Sequence, residues 1–139
     1  VENIFIDNIN MIDISNDALT MDLYYAVNDS PETPIPDVNE ETPVFRNIYI
    51  SNVLCRGAGR AVYFNGLPEM PLKNILIKNM TVTNAKKGIV INQASQVNME
   101  NIKVEDSEIP AIQIENATGV IINGKEYKKD SGKMLLSGN

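Results

Sequence analysis

Short stretches in which apolar and polar residues alternate recur along the chain, and each has a similar beginning. The clearest copy is residues 72–79 (LKNILIKN), in which Ile75 and Ile77 point to one side of an extended strand. Related stretches begin at Val1, Phe45 and Met99. The last three copies follow one another at 27 residues, and the first precedes the second by 44. A fixed period of this size is typical of a solenoid, in which each repeat forms one coil.

Each repeat carries a second extended segment, for example Ile89–Ile91, and both segments form columns when the repeats are aligned. The first-strand columns are Val1, Phe45, Leu72, Met99; Ile4, Ile48, Ile75, Ile102; and Ile6, Ile50, Ile77, Val104. The second-strand columns are Leu19, Val62, Ile89, Ile112 and Met21, Phe64, Ile91, Ile114. Because β-branched residues at alternate positions favour strands, the pattern predicts parallel strands stacked around one apolar core.

Asparagines form two further columns. One contains Asn3, Asn47, Asn74 and Asn101, and the other contains Asn8, Asn52 and Asn79 with Asp106 in the fourth place. Asparagine tolerates left-handed turn geometry and bonds its own backbone, so we predict structural ladders at the turns. A leucine-rich repeat is the competing solenoid. Its consensus places the asparagine one residue later and a helix in the second half, so a parallel β-helix fits better.

The repeats predict one domain of coils over residues 1–125, interrupted by a surface insertion over residues 26–43 and followed by a tail or cap over 126–139. The insertion contains four prolines, five acids and no Lys or Arg. Proline cannot donate to a strand ladder, and the length of the insertion accounts for the longer first spacing. The chain begins directly on a repeat with Val1, which suggests a piece of a longer protein.

Composition excludes several classes of function. The net charge is −6 and no basic stripe is visible, which argues against a nucleic-acid partner. No run of eighteen apolar residues is present, which argues against a membrane span. The chain has no His, so the commonest general base and metal ligand is missing, and we predict no metal site and no cofactor. Cys55 is the single cysteine and fits a buried apolar position, with a reactive thiol as the alternative.

Two groups of residues are candidate sites. Residues 56–60 (RGAGR) form a Gly-rich loop with two arginines, which can cradle an anion or serve as a simple turn. The carboxylates Asp13, Asp17 and Asp22 cluster in sequence. Hydrolysis of a glycosidic bond needs two carboxylates held across a cleft, and nothing in the sequence fixes such a pair. Solvated turn residues explain these acids better.

The motifs NIFIDNINM, RNIYISNVLC, KNILIKNMTV and ENIKVEDS, with the strands AVYFNG and GIVINQ between them, resemble the late coils of glycoside hydrolase family 28. This polygalacturonase family consists of right-handed β-helices that hydrolyse pectin. The resemblance covers roughly residues 1–125. We therefore predict an all-β fold, a right-handed single-stranded parallel β-helix of about four to five coils.

The family's catalytic motifs, Asn-Thr-Asp, Asp-Asp, Gly-His-Gly and Arg-Ile-Lys, are all missing from this sequence. The resemblance therefore implies the C-terminal segment of such an enzyme, without catalytic residues of its own. It also implies a secreted or periplasmic location and a pectic polysaccharide or oligogalacturonide as the partner of the parent. Family members place a substrate-contacting tyrosine where Tyr25 stands, with Tyr24 beside it. Packing of these rings on the insertion is the equal alternative.

The alternative function is a non-catalytic carbohydrate-binding or purely structural β-helix module. A separate expectation concerns association between copies of the chain. The strand edge beneath Val1, Ile4 and Ile6 is expected to be open, and open strand edges invite pairing. We therefore also predict self-association through that end.

Overall fold

The computed structural model describes residues 2–23, 44–106, 111–127 and 132–135. The strands are β1 (Glu2–Asp22), β2 (Arg46–Asn65), β3 (Leu72–Asp106), β4 (Ala111–Ile122), β5 (Lys125–Tyr127) and β6 (Gly132–Leu135). In the described residues they form one sheet in the order β1-β2-β3-β4-β5, with β6 also on β4. The first three strands are 20 residues long or longer, because each bends at corners and continues around its coil.

The first four strands pair in parallel, and most of the predicted columns match the residue pairs between neighbouring strands. Ile4 pairs with Ile48, and Ile48 pairs with Ile75. The columns that begin at Leu19 and Met21 are followed through all four strands. The predicted fold, an all-β right-handed parallel β-helix, is confirmed. The described segments contain no helix with the length and hydropathy of a membrane span.

Asparagines make the corners between the extended segments of a coil. Asn3, Asn47 and Asn74 have φ values of 57°, 56° and 56°, the left-handed region that asparagine tolerates better than most residues. Asn47 and Asn74 each donate to the coil before them: Asn47 Nδ2 lies 3.1 Å from Asn3 Oδ1, and Asn74 Nδ2 lies 2.8 Å from Asn47 Oδ1. At the next corner, Asn79 Nδ2 lies 3.2 Å from Asn52 Oδ1. The first predicted ladder therefore runs through the first three coils. The second links Asn79 to Asn52 only, because Asn52 Nδ2 donates to Asp7 Oδ1 at 2.8 Å and not to Asn8.

The predicted alignment of the fourth repeat is wrong. Asn101 stacks on Asn79, with Nδ2 and Oδ1 2.9 Å apart at a spacing of 22 residues, and not on Asn74. The neighbouring ion pair of Lys78 with Glu100 has the same offset. The columns that place Met99 on Leu72, Ile102 on Ile75, Val104 on Ile77 and Asp106 on Asn79 are therefore displaced.

A shorter corner explains the displacement. Nine positions separate Asn65 from the corner residue Asn74, whereas four separate Asn92 from the corner residue Gln96, whose φ is 57°. The loss of five positions turns a spacing of 27 into 22. The change was not predicted, because the repeats were aligned on asparagines and the corner residue here is a glutamine. The next coil is in register with this one, since Val97 pairs with Val120 and Met99 with Ile122.

The core is a stack of apolar layers inside the coils. Ile75, Ile77, Ile89 and Ile91 of the third coil are fully buried, and no charged or polar side chain in the described residues is buried. Cys55 is buried in the column of Met11 and Val82, as predicted for a small apolar residue. Dispersion and burial in this dry core are the main stabilising terms, and each coil depends on its neighbours for them.

The first coil is less covered than the others. Ile6 is 37% exposed, whereas its column partners Ile50 and Ile77 are 3% and 0% exposed. Ile4 and Met11 are also only partly buried. At the other side of the stack, β5 and β6 pair with β4 in antiparallel orientation. Self-association through the first coil stays a prediction.

Candidate functional site: the Arg60 face

A charged and aromatic surface lies on the outer side of the third extended segment of each coil. Its residues are the outward-pointing members of Asp17–Asp22 in β1, Arg60–Asn65 in β2 and Lys87–Asn92 in β3. We call this surface the Arg60 face. Its three rows are Asp17, Arg60, Lys87; Thr20, Tyr63, Val90; and Asp22, Asn65, Asn92. Each row crosses from coil to coil because the strands are parallel and in register.

Arg60 is fixed by two neighbours. Its Nε and Nη2 lie 2.6 and 3.3 Å from the two carboxylate oxygens of Asp17, a bidentate pair. Its guanidinium carbon lies 4.0 Å from the centre of the Tyr63 ring. The side chains of Arg60 and Asp17 are 27% and 15% exposed, so the pair is partly shielded from water. An arginine held in this way presents its remaining N–H groups in a fixed direction.

Tyr63 and Asp22 share the electrostatics of this face. Burial raises the pKa of the Tyr63 phenol first, the Asp22 carboxylate raises it further, and Arg60 opposes both. The phenol is therefore a stable hydrogen-bond donor at neutral pH. Asp22 Oδ1 accepts from Asn65 Nδ2 at 3.1 Å, and Asn65 Oδ1 accepts from Asn92 Nδ2 at 2.9 Å. This ladder of Asp22, Asn65 and Asn92 forms the far border of the face.

Broken alternation in β2 places Arg60 beside Tyr63. In a regular strand, residues three apart point to opposite sides, but Ala61 and Val62 are both buried, so Arg60 and Tyr63 share the outer side. A bulge accompanies this change. The register slips between Ile14 and Asp17 of β1, and a Cβ on Gly59 would lie 2.6 Å from the Ser15 carbonyl oxygen.

The residues predicted as candidate sites lie within strands and at corners of the coils. Arg56–Arg60 is part of β2 and forms no separate loop: Gly57 is a left-handed corner with φ 94°, and Gly59 lies under the bulge. Asp13 is a corner residue with φ 55°, while Asp17 and Asp22 have the partners given above. The three acids therefore have structural roles. In the described residues no three His, Cys, Asp or Glu side chains group as metal ligands.

The predicted substrate contacts Tyr25 and Tyr24 lie outside the described residues and stay a prediction. Leu23, the last described residue before them, is buried, and its N–H donates to the Asn65 carbonyl oxygen at 3.0 Å. Sequence reasoning missed the Arg60–Tyr63–Asp17 group. Its members are up to 46 positions apart, from residue 17 to residue 63, and only the aligned second-strand columns could have indicated it.

A comparison with protein families agrees with the geometry. A family model described as a right-handed β-helix region matches residues 33–133, which is more than half of the chain. The chain belongs to the right-handed β-helix family. Comparison with curated proteins gives no match, and comparison with solved structures gives none. The family description covers the coils and names no chemistry. The candidate chemistry therefore rests on the side chains of the Arg60 face.

Proposed function

We propose that this β-helix is the C-terminal segment of a polygalacturonase-like glycoside hydrolase that acts on pectic polysaccharide. In this proposal the coils form one wall of the substrate groove, and the bond-breaking residues belong to another part of the parent. The observation that carries the proposal is the Arg60 face, where Arg60 and Lys87 lie side by side next to the Tyr63 ring, with the carboxylates of Asp17 and Asp22 on the neighbouring strand β1.

The chemistry of this face suits an acidic sugar. Guanidinium has five N–H donors, and Asp17 occupies two of them, so Arg60 keeps three for a sugar carboxylate. Lys87 stands next to Arg60 in the register and adds a second positive charge that the described contacts leave unpaired. The Tyr63 phenol offers a hydroxyl group to the same ligand. Successive sugars of a polyanion can follow the row from coil to coil.

A non-catalytic role follows from the same contacts. Both carboxylate oxygens of Asp17 are engaged by Arg60, so this acid is not placed as one of the two carboxylates that glycoside hydrolysis holds across the scissile bond. We therefore expect the chain alone to release no reducing ends from polygalacturonate. Release that an Asp17→Asn substitution abolishes would contradict this part of the proposal.

The binding part is tested with tetragalacturonate and two matched variants. Arg60→Gln removes the cation from the face, and Arg46→Gln removes an arginine that is also paired with an acid, Glu2, at 2.6 Å elsewhere on the coil. We expect the dissociation constant, measured by calorimetry, to rise about tenfold in Arg60→Gln, because a charge-assisted hydrogen bond contributes about 1.5 kcal/mol. Arg46→Gln is expected to bind like the unchanged chain. Equal loss in both variants would mean that only the general charge matters.

A carbohydrate-binding module without any catalytic parent is the second candidate. It is favoured by the fact that the whole Arg60 face is built from coils of this chain, so that binding needs no other segment. The coding sequence upstream of Val1 distinguishes the two candidates. Catalytic motifs encoded in frame upstream of Val1 would support the hydrolase segment. A purely structural module is expected to bind no oligogalacturonide at all.

A further inference from the structure

A second groove lies on the first extended segment of each coil, between the two asparagine corners. It has a volume of about 280 Å³ and is open to solvent. One wall is the outward column Phe5, Tyr49, Leu76, and the other is the outward column Asp7, Ser51, Lys78. We call it the Phe5 groove. It contains none of the residues of the Arg60 face.

The apolar wall is an exposed stack of rings. The Phe5 and Tyr49 ring centres are 4.9 Å apart with 26° between the planes, and Phe5 is 77% exposed. Leu76 continues the column on the next coil. The Tyr49 hydroxyl oxygen accepts from Asn74 Nδ2 at 3.4 Å, which leaves its own O–H as a donor at the edge of the groove.

The polar wall holds a fixed acceptor. Asp7 Oδ1 accepts from Ser51 Oγ at 2.9 Å and from Asn52 Nδ2 at 2.8 Å, and these bonds lower the pKa of Asp7 below its usual value of 3.8. Its Oδ2 accepts one long bond, from Asn8 Nδ2 at 3.3 Å, and so keeps a lone pair for a ligand. The carboxylate is therefore oriented before any ligand binds.

The charges of the residues that line the groove cancel. Asp7 is negative and Lys78 is positive, while the Glu100 carboxylate, 3.7 Å from Lys78 Nζ, belongs to the following coil and does not line the groove. The groove therefore offers a ring surface, a fixed carboxylate acceptor and hydroxyl and ammonium donors without an excess of either charge. A ligand that matches it has an apolar face, vicinal hydroxyl groups and no net charge.

We infer that the Phe5 groove binds a neutral sugar, one or two residues of an uncharged oligosaccharide. In this arrangement the C–H face of the sugar lies against the Phe5–Tyr49 stack and its hydroxyl groups bond Asp7 and Tyr49. The groove, at about 280 Å³, is close to the lower limit of about 300 Å³ for small-molecule pockets, which suits a small ligand. The inference goes beyond the proposed function, whose ligand is acidic and binds elsewhere.

The test uses the whole chain and a neutral β-1,4-linked tetrasaccharide of galactose or glucose. Phe5→Ala removes the exposed ring. Ile12→Ala is the matched control, because Ile12 is also an exposed apolar residue of the first coil, 65% exposed, on the neighbouring segment. Binding is measured by titration of the amide resonances of the isotope-labelled protein. We expect saturable binding that weakens about tenfold in Phe5→Ala and is unchanged in Ile12→Ala.

Other outcomes would overturn the inference. If no neutral tetrasaccharide binds, or if both variants lose binding alike, the groove is not a sugar site. If Phe5→Ala instead dissolves a concentration-dependent dimer, the stack is a protein interface. The result is independent of the Arg60 face: Arg60→Gln is expected to leave neutral-sugar binding unchanged, and Phe5→Ala is expected to leave tetragalacturonate binding unchanged.

Discussion

At the left-handed asparagine corners, glycine is expected to destabilise the fold less than alanine does. The order is the opposite at ordinary strand positions. Asn79 has a φ of 58°, donates to Asn52 at 3.2 Å and accepts from Asn101 at 2.9 Å. Substitution by alanine removes both hydrogen bonds and forces a Cβ-bearing residue without a polar side chain into the left-handed region. Substitution by glycine removes the same hydrogen bonds and leaves the backbone unstrained.

The magnitudes decide the order of the two variants. Each ladder bond is solvent-accessible and contributes about 0.5 kcal/mol, so both variants lose about 1 kcal/mol from bonding. Alanine adds about 1–2 kcal/mol for the left-handed backbone. Glycine adds about 0.5 kcal/mol for the greater entropy of its unfolded chain. The free energy of unfolding is therefore expected to fall by about 2–3 kcal/mol in Asn79→Ala and by about 1.5 kcal/mol in Asn79→Gly.

Urea denaturation followed by far-ultraviolet circular dichroism measures both values. Asn98 is the control, because it lies within β3, is absent from the positive-φ corners and has one long bond, to Glu100 at 3.4 Å. There glycine is expected to be worse than alanine, as in ordinary strands. If glycine is also worse than alanine at Asn79, the corner geometry described here is wrong.

Three further predictions concern single side chains. Ile77→Ala is expected to cost about 3 kcal/mol of unfolding free energy and Ile6→Ala about 1 kcal/mol, because only Ile77 is covered on both sides; equal losses in chemical denaturation would refute this. Ser51→Ala is expected to raise the pKa of Asp7 towards 3.8 in a carbon-detected titration, since the Ser51 bond is the largest cause of its lowering. In the unchanged chain, where the pKa of Asp7 is lowered, the Asp7 carboxylate stabilises the fold at pH values above its unfolded pKa. This contribution is lost as the pH falls through its folded pKa. Burial raises the pKa of the Cys55 thiol, so a thiol reagent is expected to react slowly with the native chain and fast in urea; rapid native labelling would contradict the buried position.

The sequence predicted the parts of the fold that repeat and missed the part that changes. The columns through Ile4 and Leu19 and the corners at Asn3 and Asn8 follow from period and residue type, and the structure confirms them in the first three coils. The fourth coil was misplaced because its corner is five residues shorter and uses Gln96. A constant period cannot reveal such a deletion when the residues on either side are also β-branched or polar.

The candidate site was less predictable, for a geometric reason. Arg60 and Tyr63 share a side only because Ala61 and Val62 both point inward, and Asp17 reaches Arg60 across a bulge. Alternation within a strand predicts the opposite placement. Long-range pairing of side chains from different coils depends on such local irregularities, which composition and spacing do not encode.

The central claim, that the Arg60 face binds an acidic sugar chain, is tested most directly by mapping where tetragalacturonate binds. The isotope-labelled chain would be titrated and the perturbed amide resonances assigned. The account predicts that the shifts concentrate at Arg60, Tyr63 and Lys87, and that they weaken with added salt as expected for a charged ligand. Shifts confined to another face, or no shifts at millimolar ligand, would contradict it.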